Sequence, residues 1–112
     1  MLPQENRLRK KTDFSNVYQN GKAFYLDSVS IKFIKSNLDF SRIGFIASNK
    51  FSKKATERNK IRRQLRDIFA KKIASFREKV DMVVFVKRKE KMEFLDLQNN
   101  IEKVLKKAKI ID

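Results

Sequence analysis

The chain has no cysteine and no histidine, and among its 112 residues there are one proline and two glycines. Without cysteine there is no disulfide framework, no thiolate nucleophile and no zinc site built on sulfur. Without histidine the commonest general base and the commonest metal ligand are missing. An enzyme working alone would have to rely on Asp, Glu or Lys. Pro3 is the only proline, and there is no repeat, no low-complexity tract and no Gly/Ser linker, so nothing marks a domain boundary. The expectation is a single domain over residues 1–112, with 1–11 as an extended basic arm. No segment reaches the roughly 20 apolar residues of a membrane span, and Met1 to Lys11 lacks an apolar stretch of signal-peptide length. A cytoplasmic protein without membrane association is expected.

Negative charge is scarce too. Thirteen Asp and Glu stand against 28 Lys and Arg, a formal +15 at neutral pH. A small acidic substrate needs two or three cations, so this surplus points to a polyanion. The apolar fraction of 41%, with ten Phe, is too high for a charged tail that stays disordered. The chain should fold.

Thr12 or Asp13 is placed to cap a short helix on which Phe14, Val17 and Tyr18 recur at i, i+3 and i+4, with Asn20-Gly21 as its stop. Val29, Ile31 and Phe33 alternate with Ser28, Ser30 and Lys32, the period of a half-buried strand. After a turn at Ser36 to Asp39, Ile43, Phe45 and Ala47 mark a second strand, expected to form a hairpin with the first. Val80 to Val86 is apolar except for Asp81 and reads as a more central strand, and Ala23 to Tyr25 as a further short one. Ile61, Leu65, Ile68, Phe69 and Ile73 form one helical stripe within Ser52 to Phe76. Phe94, Leu97, Ile101, Val104, Leu105 and Ala108 form another within Met92 to Lys109. Helix, strands, helix, strand, helix is the order of an α/β (α+β) sandwich: three helices on a small four-stranded mixed sheet.

The charge is concentrated. From Lys50 to Lys72 there are ten cations (Lys50, Lys53, Lys54, Arg58, Lys60, Arg62, Arg63, Arg66, Lys71, Lys72) against Glu57 and Asp67. Arg58, Arg62 and Arg66 are four apart and form a row with a step of about 6 Å. At 100° per residue Arg58 projects into the arc of the apolar stripe and Arg62 lies near its edge, so the first turns overhang the core and present the row to something other than water. Asn59 adds an amide suited to base edges or backbone. A basic helix is often only a solubilising face. Here the row is arginine, whose fork matches phosphate oxygens in pairs, and nucleic-acid binding is the stronger reading.

The run Lys50-Phe51-Ser52-Lys53-Lys54-Ala55-Thr56-Glu57-Arg58-Asn59-Lys60-Ile61-Arg62-Arg63-Gln64-Leu65-Arg66 resembles the signature helix of the bacterial ribonuclease P protein component. Arg7-Leu8-Arg9-Lys10-Lys11, Asp13-Phe14, Tyr18 and Gly21 are similar to that family's first helix and its approach, and Arg42-Ile43-Gly44 to the strand before its basic loop. The resemblance implies a fold like ribosomal protein S5 domain 2, with a left-handed βαβ crossover. It implies a protein subunit of ribonuclease P whose RNA subunit, with Mg²⁺, removes the 5′ leader of precursor tRNA. The partners are then the catalytic RNA subunit and precursor tRNA, and the protein itself has no catalytic and no metal-binding residue. On this resemblance Lys50, Lys53, Lys54, Arg58, Asn59, Lys60, Arg62, Arg63 and Arg66 would contact the catalytic RNA, while Phe14, Tyr18, Lys32 and Arg42 would line a cleft for the single-stranded leader. The loop Lys87-Arg88-Lys89-Glu90-Lys91 would touch phosphate. Asp13, Asp27 and Glu57 are the acids to consider near a metal, each better read as a cap or ion-pair partner. A ribosomal-type structural RNA-binding protein of the same fold is the alternative. A stand-alone nuclease lacks any paired-carboxylate motif.

Overall fold

The computed structural model describes residues 2–26, 29–48, 51–86 and 94–112. Helix α1 (Lys11–Asn20) is followed by strands β1 (Lys22–Leu26), β2 (Val29–Lys35) and β3 (Arg42–Ala47), helix α2 (Ala55–Lys72), strand β4 (Val80–Val86) and helix α3 (Phe94–Lys107). The strands form one mixed sheet in the order β1-β2-β4-β3, in which β3 and β4 run parallel and the other neighbours antiparallel. The expected β2–β3 hairpin is therefore corrected: β4 lies between them, and β2 takes β1 as its hairpin partner. The reason lies in β4 itself. Val80, Met82, Val84 and Val86 are buried on one face, and Asp81 and Val83 on the other. Only a position covered on both faces accommodates such a strand.

The two faces of the sheet are covered unequally. Ile31, Ile43, Met82 and Val84 pack beneath α2 and α3 with Leu65, Phe69, Leu97, Ile101 and Leu105 in the main core. Lys72 Nζ and Glu102 Oε1 join these two helices at 3.5 Å. Among the described residues α1 is the one helix on the opposite face; its Val17 is fully buried with Leu8 and Val83 while Phe14, Ile34, Ile46 and Phe85 pack around them. Ten residues make a rod of about 15 Å, too short to cover a four-stranded sheet.

Local details depart from expectation. The residue capping α1 is Lys10, without a side-chain bond, so neither Thr12 nor Asp13 caps it. Gly21 stops the helix in extended backbone, and its role is close approach: a Cβ there would meet the Val17 carbonyl oxygen at 2.4 Å. The second helix ends at Lys72, and Ile73–Ser75 tighten into a 3₁₀ turn. Phe94, assigned to the last helix's apolar stripe, is 42% exposed in the first turn of α3. The segment before α1 is extended but not free. Leu2 is buried in the main core, Gln4–Asn6 form a 3₁₀ turn, and the Leu8 amide donates to the Ile43 carbonyl at 3.0 Å along the outer edge of β3. A sheet edge that would otherwise offer unpaired groups is thus covered.

Candidate nucleic-acid interface

The uncovered part of the α1 face is a groove of about 230 Å³. Tyr18 forms its wall from α1. Ala23 and Tyr25 of β1, Ser30 and Lys32 of β2 and Phe85 of β4 form its floor. Strand alternation explains the floor: Ala23 pairs with Lys32 and Tyr25 with Ser30, placing these four side chains on one face. The small Ala23 leaves the space open. Tyr18, 57% exposed, meets Phe85 edge to face with centroids 5.7 Å apart, which fixes the ring without covering it. The Lys32 ammonium sits 4.8 Å from the centroid of the same ring. A cation and exposed aromatics beside one another are the chemistry suited to stacking unpaired bases and pairing with their phosphates.

Two residues expected in this groove stand elsewhere. Phe14 is half-buried with its ring against Gly44, where an added Cβ would come within 2.4 Å of it, and belongs to the packing under α1. Arg42 is engaged by acids. Its Nε and Nη2 donate to Asp81 Oδ1 and Oδ2 at 3.0 and 2.8 Å, and Nη1 donates to Asp13 Oδ2 at 3.1 Å. The hydrogen bond to Asp81 raises the Arg42 pKa above its ordinary value, opposed by burial and assisted by the charges of both acids. The triad binds α1 to the sheet and neutralises the one buried carboxylate of β4. Tyr25, Ser30 and Phe85 are floor residues not singled out from the sequence for this site. The alternation of β4 carried the signal for Phe85, which shares a face with Asp81 and Val83.

The basic helix lies on the other layer. Ile61, Leu65, Ile68 and Phe69 face the core, and the arginine row runs beside this buried stripe, with Arg58, Arg62 and Arg66 half-buried while Asn59, Lys60 and Arg63 are exposed. The row is ordered by local bonds. Arg58 Nη1 donates to the Ser52 carbonyl at 2.9 Å, and Arg62 donates to the Asn59 side-chain oxygen, turning that amide's NH₂ outward. Ser52 Oγ accepts the Lys54 amide at 3.1 Å, shaping the entry to α2 and leaving Lys53 and Lys54 exposed. Lys50, Asp27 and the loop Lys87 to Lys91 lie outside the described residues.

The carboxylates of Asp13 and Asp81 hold Arg42. Among the described residues no three acids gather where they could hold a metal ion, and no helix is long and apolar enough to cross a membrane.

A protein-family model described as Ribonuclease P matches residues 2–109. The chain is 36% identical to a ribonuclease P protein component from Pseudanabaena sp. over 113 residues, covering 99% of this chain and 97% of that one. It is 34% identical to the component from Thermotoga maritima, covering 97% and 94%. Among solved structures it is similar to the Staphylococcus aureus RNase P protein, with a TM-score of 0.87 at 28% identity over 96% of this chain and 98% of that one. The Thermotoga maritima RNase P protein gives 0.80 at 31% identity over 90% and 96%. With a matching four-stranded sheet and three helices, and with sequence similarity over nearly its whole length, the chain belongs to the ribonuclease P protein family.

Proposed function

We propose a division of labour for this protein subunit of ribonuclease P, a component of tRNA processing. The catalytic RNA subunit, with Mg²⁺, cleaves the 5′ leader from precursor tRNA, and the protein holds the two RNAs on separate surfaces. The observation that carries this reading is that the groove and the arginine row lie on opposite layers of the sheet. One molecule can therefore engage two polyanions at once. The row on α2, with Lys53, Lys54, Lys60 and Arg63 around it, takes the catalytic RNA. The groove takes the unpaired leader, with Tyr18 as the stacking platform and Lys32 for phosphate, each stack contributing roughly 1–3 kcal/mol. Phe14 and Arg42 serve the leader indirectly, by seating α1 over the sheet.

The protein's own chemistry supports an accessory role. The chain has no His or Cys, and among the described residues that line the groove there is no carboxylate to activate water. Its surplus of positive charge instead lessens the repulsion between two RNAs and so the Mg²⁺ needed to unite them. The test is reconstitution with catalytic RNA and labelled precursor tRNA. The protein alone should leave the precursor intact and should raise cleavage by the RNA when Mg²⁺ is limiting, with the advantage shrinking at high Mg²⁺. Cleavage by RNA-free protein, surviving nuclease treatment and abolished by one Asp or Glu substitution, would overturn the assignment.

A further inference from the structure

Where the N-terminal segment, β3 and α2 meet, the surface holds a notch of about 250 Å³, separate from the groove beside Tyr18. Arg7 and Arg9 enter it from the N-terminal segment and Arg66 from the middle of α2. The floor is made by Leu8, the Phe14 ring and the bare backbone of Gly44. The notch depends on that glycine, since a Cβ at residue 44 would lie 2.4 Å from Phe14 Cζ and 3.3 Å from Leu8 Cβ.

Backbone bonds hold the arginines in place. Leu8 donates to the Ile43 carbonyl and Arg7 forms a parallel bridge with Ile43, so Arg7 and Arg9 are fixed on either side of a residue pinned to the sheet. Arg7 Nε donates to the Leu2 carbonyl at 3.0 Å, which steadies its stem and leaves both terminal nitrogens to donate elsewhere. Arg66 is half-buried, and burial, then the charges of Arg7, Arg62 and Arg63, lower its pKa. Among the described residues that line the notch there is no carboxylate. Three guanidinium groups from two elements thus converge on one concavity whose described lining is otherwise uncharged. Like charges crowded at a partly buried site are costly until an anion joins them.

The geometry points to this notch as a socket for one RNA phosphodiester, gripped jointly by Arg7, Arg9 and Arg66. Guanidinium forks match phosphate oxygens in pairs. Arg66 is also the last member of the row Arg58–Arg62–Arg66, so a strand following that row on α2 runs directly into the socket. The inference rests on the RNA-binding reading of the chain. It does not depend on which RNA supplies the phosphate, because catalytic RNA and leader carry the same group.

The test compares the full chain with its Arg9→Gln, Arg66→Gln, doubly substituted and Arg66→Lys forms, each checked for an unchanged thermal transition. Two affinities are measured across a salt series: protein for catalytic RNA alone, and reconstituted holoenzyme for precursor tRNA. Because one phosphate is lost only once, each Gln variant should weaken one of these affinities about tenfold, and the double variant should be weaker than either single one by much less than the product. The salt slope should drop by about 0.7–0.9 in the singles and no further in the double. Arg66→Lys should keep the slope while losing most of the affinity, since charge remains and the fork does not. Loss in the first titration names catalytic RNA as the source of the phosphate, and loss in the second names the leader. Multiplying losses with a slope that falls twice, or no loss in either titration, would overturn the socket. An Arg58→Gln variant that binds catalytic RNA normally would refute the α2-row reading and leave the socket's non-additivity to stand or fall by itself.

Discussion

Replacing Arg42 with methionine keeps most of the stem and removes the guanidinium from between Asp81 and Asp13. Asp81, whose side chain is 9% exposed in the central strand, then has lost the two hydrogen bonds of 3.0 and 2.8 Å that offset its charge. Removing one partner of a buried pair costs about 3–5 kcal/mol. The arginine side chain is 22% exposed, so water reaches the site, and the low end, about 3 kcal/mol, is the expected value. At roughly 4 °C per kcal/mol for a domain of this size, the thermal midpoint should fall by about 12 °C. Adding Asp81→Leu removes the stranded carboxylate and should restore much of the loss, whereas Asp13→Asn alone should cost only about 0.5 kcal/mol, since that carboxylate is partly solvated. The raised pKa of Arg42 means that its contribution is full below the ordinary guanidinium value and is lost only above the raised one, so mildly alkaline pH leaves it intact. Urea and thermal unfolding followed by circular dichroism read these changes. An Arg42→Met protein within about 1 kcal/mol of the parent, or a double variant no more stable than the single one, would refute the account. The same proteins in an RNA titration should keep the parent's salt slope. A drop of about 0.7–0.9 would instead make Arg42 a phosphate ligand.

Tyr18→Ala should leave the melting transition nearly unchanged, because the ring is mostly exposed. It should lower the preference of the holoenzyme for precursor over mature tRNA by an amount equivalent to about 1–3 kcal/mol. Phe14→Ala should do the reverse, destabilising the fold by roughly 2 kcal/mol for a half-buried ring, with its effect on precursor affinity following from the loosening of α1; equal effects of both substitutions on both measurements would remove the distinction between platform and support. Binding of catalytic RNA should weaken with salt at a logarithmic slope of roughly −3.5 to −4.5 if about five phosphates are neutralised, and a flat response would count against the arginine row. Leu2→Ala should cost about 2–3 kcal/mol in urea unfolding, since Leu2 is 1% exposed in the main core, and a neutral result would mean that the N-terminal segment is not held there in solution.

Elements with a strong period were open to reading from the chain alone. The stripe on α2, the stripe from Leu97 to Leu105 on α3 and the alternation of β2 each follow from residues close in sequence, and all three elements lie where those patterns put them. Pairing was harder. Successive strands often form hairpins, which made β2 and β3 look like partners, and only the apolar character of both faces of β4 argued for inserting a strand from 40 residues downstream. The same distance hid the partners of charged groups. Arg42 reads as a free cation because Asp13 and Asp81 lie 29 and 39 residues away, and no local pattern shows an ion pair between elements. The groove was half visible: Tyr18 and Lys32 were singled out, whereas Tyr25 and Ser30 enter it through a strand register that a sequence does not display. Leu2 and Leu8 could be seen as apolar, but their burial depends on an edge of β3 that exists only after folding.

The strand at the middle of the sheet is also the last of the four to be synthesised. While the ribosome is still making α2, the β1–β2 hairpin and β3 already exist as sequence but have no common neighbour, because β4 begins at Val80. Two isolated strands or one small hairpin are at best marginal in water, so stable docking must wait until residue 86 has left the exit tunnel. During that interval Ile31, Ile43 and Phe45 lack most of the partners that will cover them. Exposed strand edges of this kind invite aggregation. The large positive charge then serves a purpose before any RNA is bound, since nascent chains carrying it repel one another. Lowering the charge of α2 should therefore reduce the yield of soluble protein as well as its affinity for RNA.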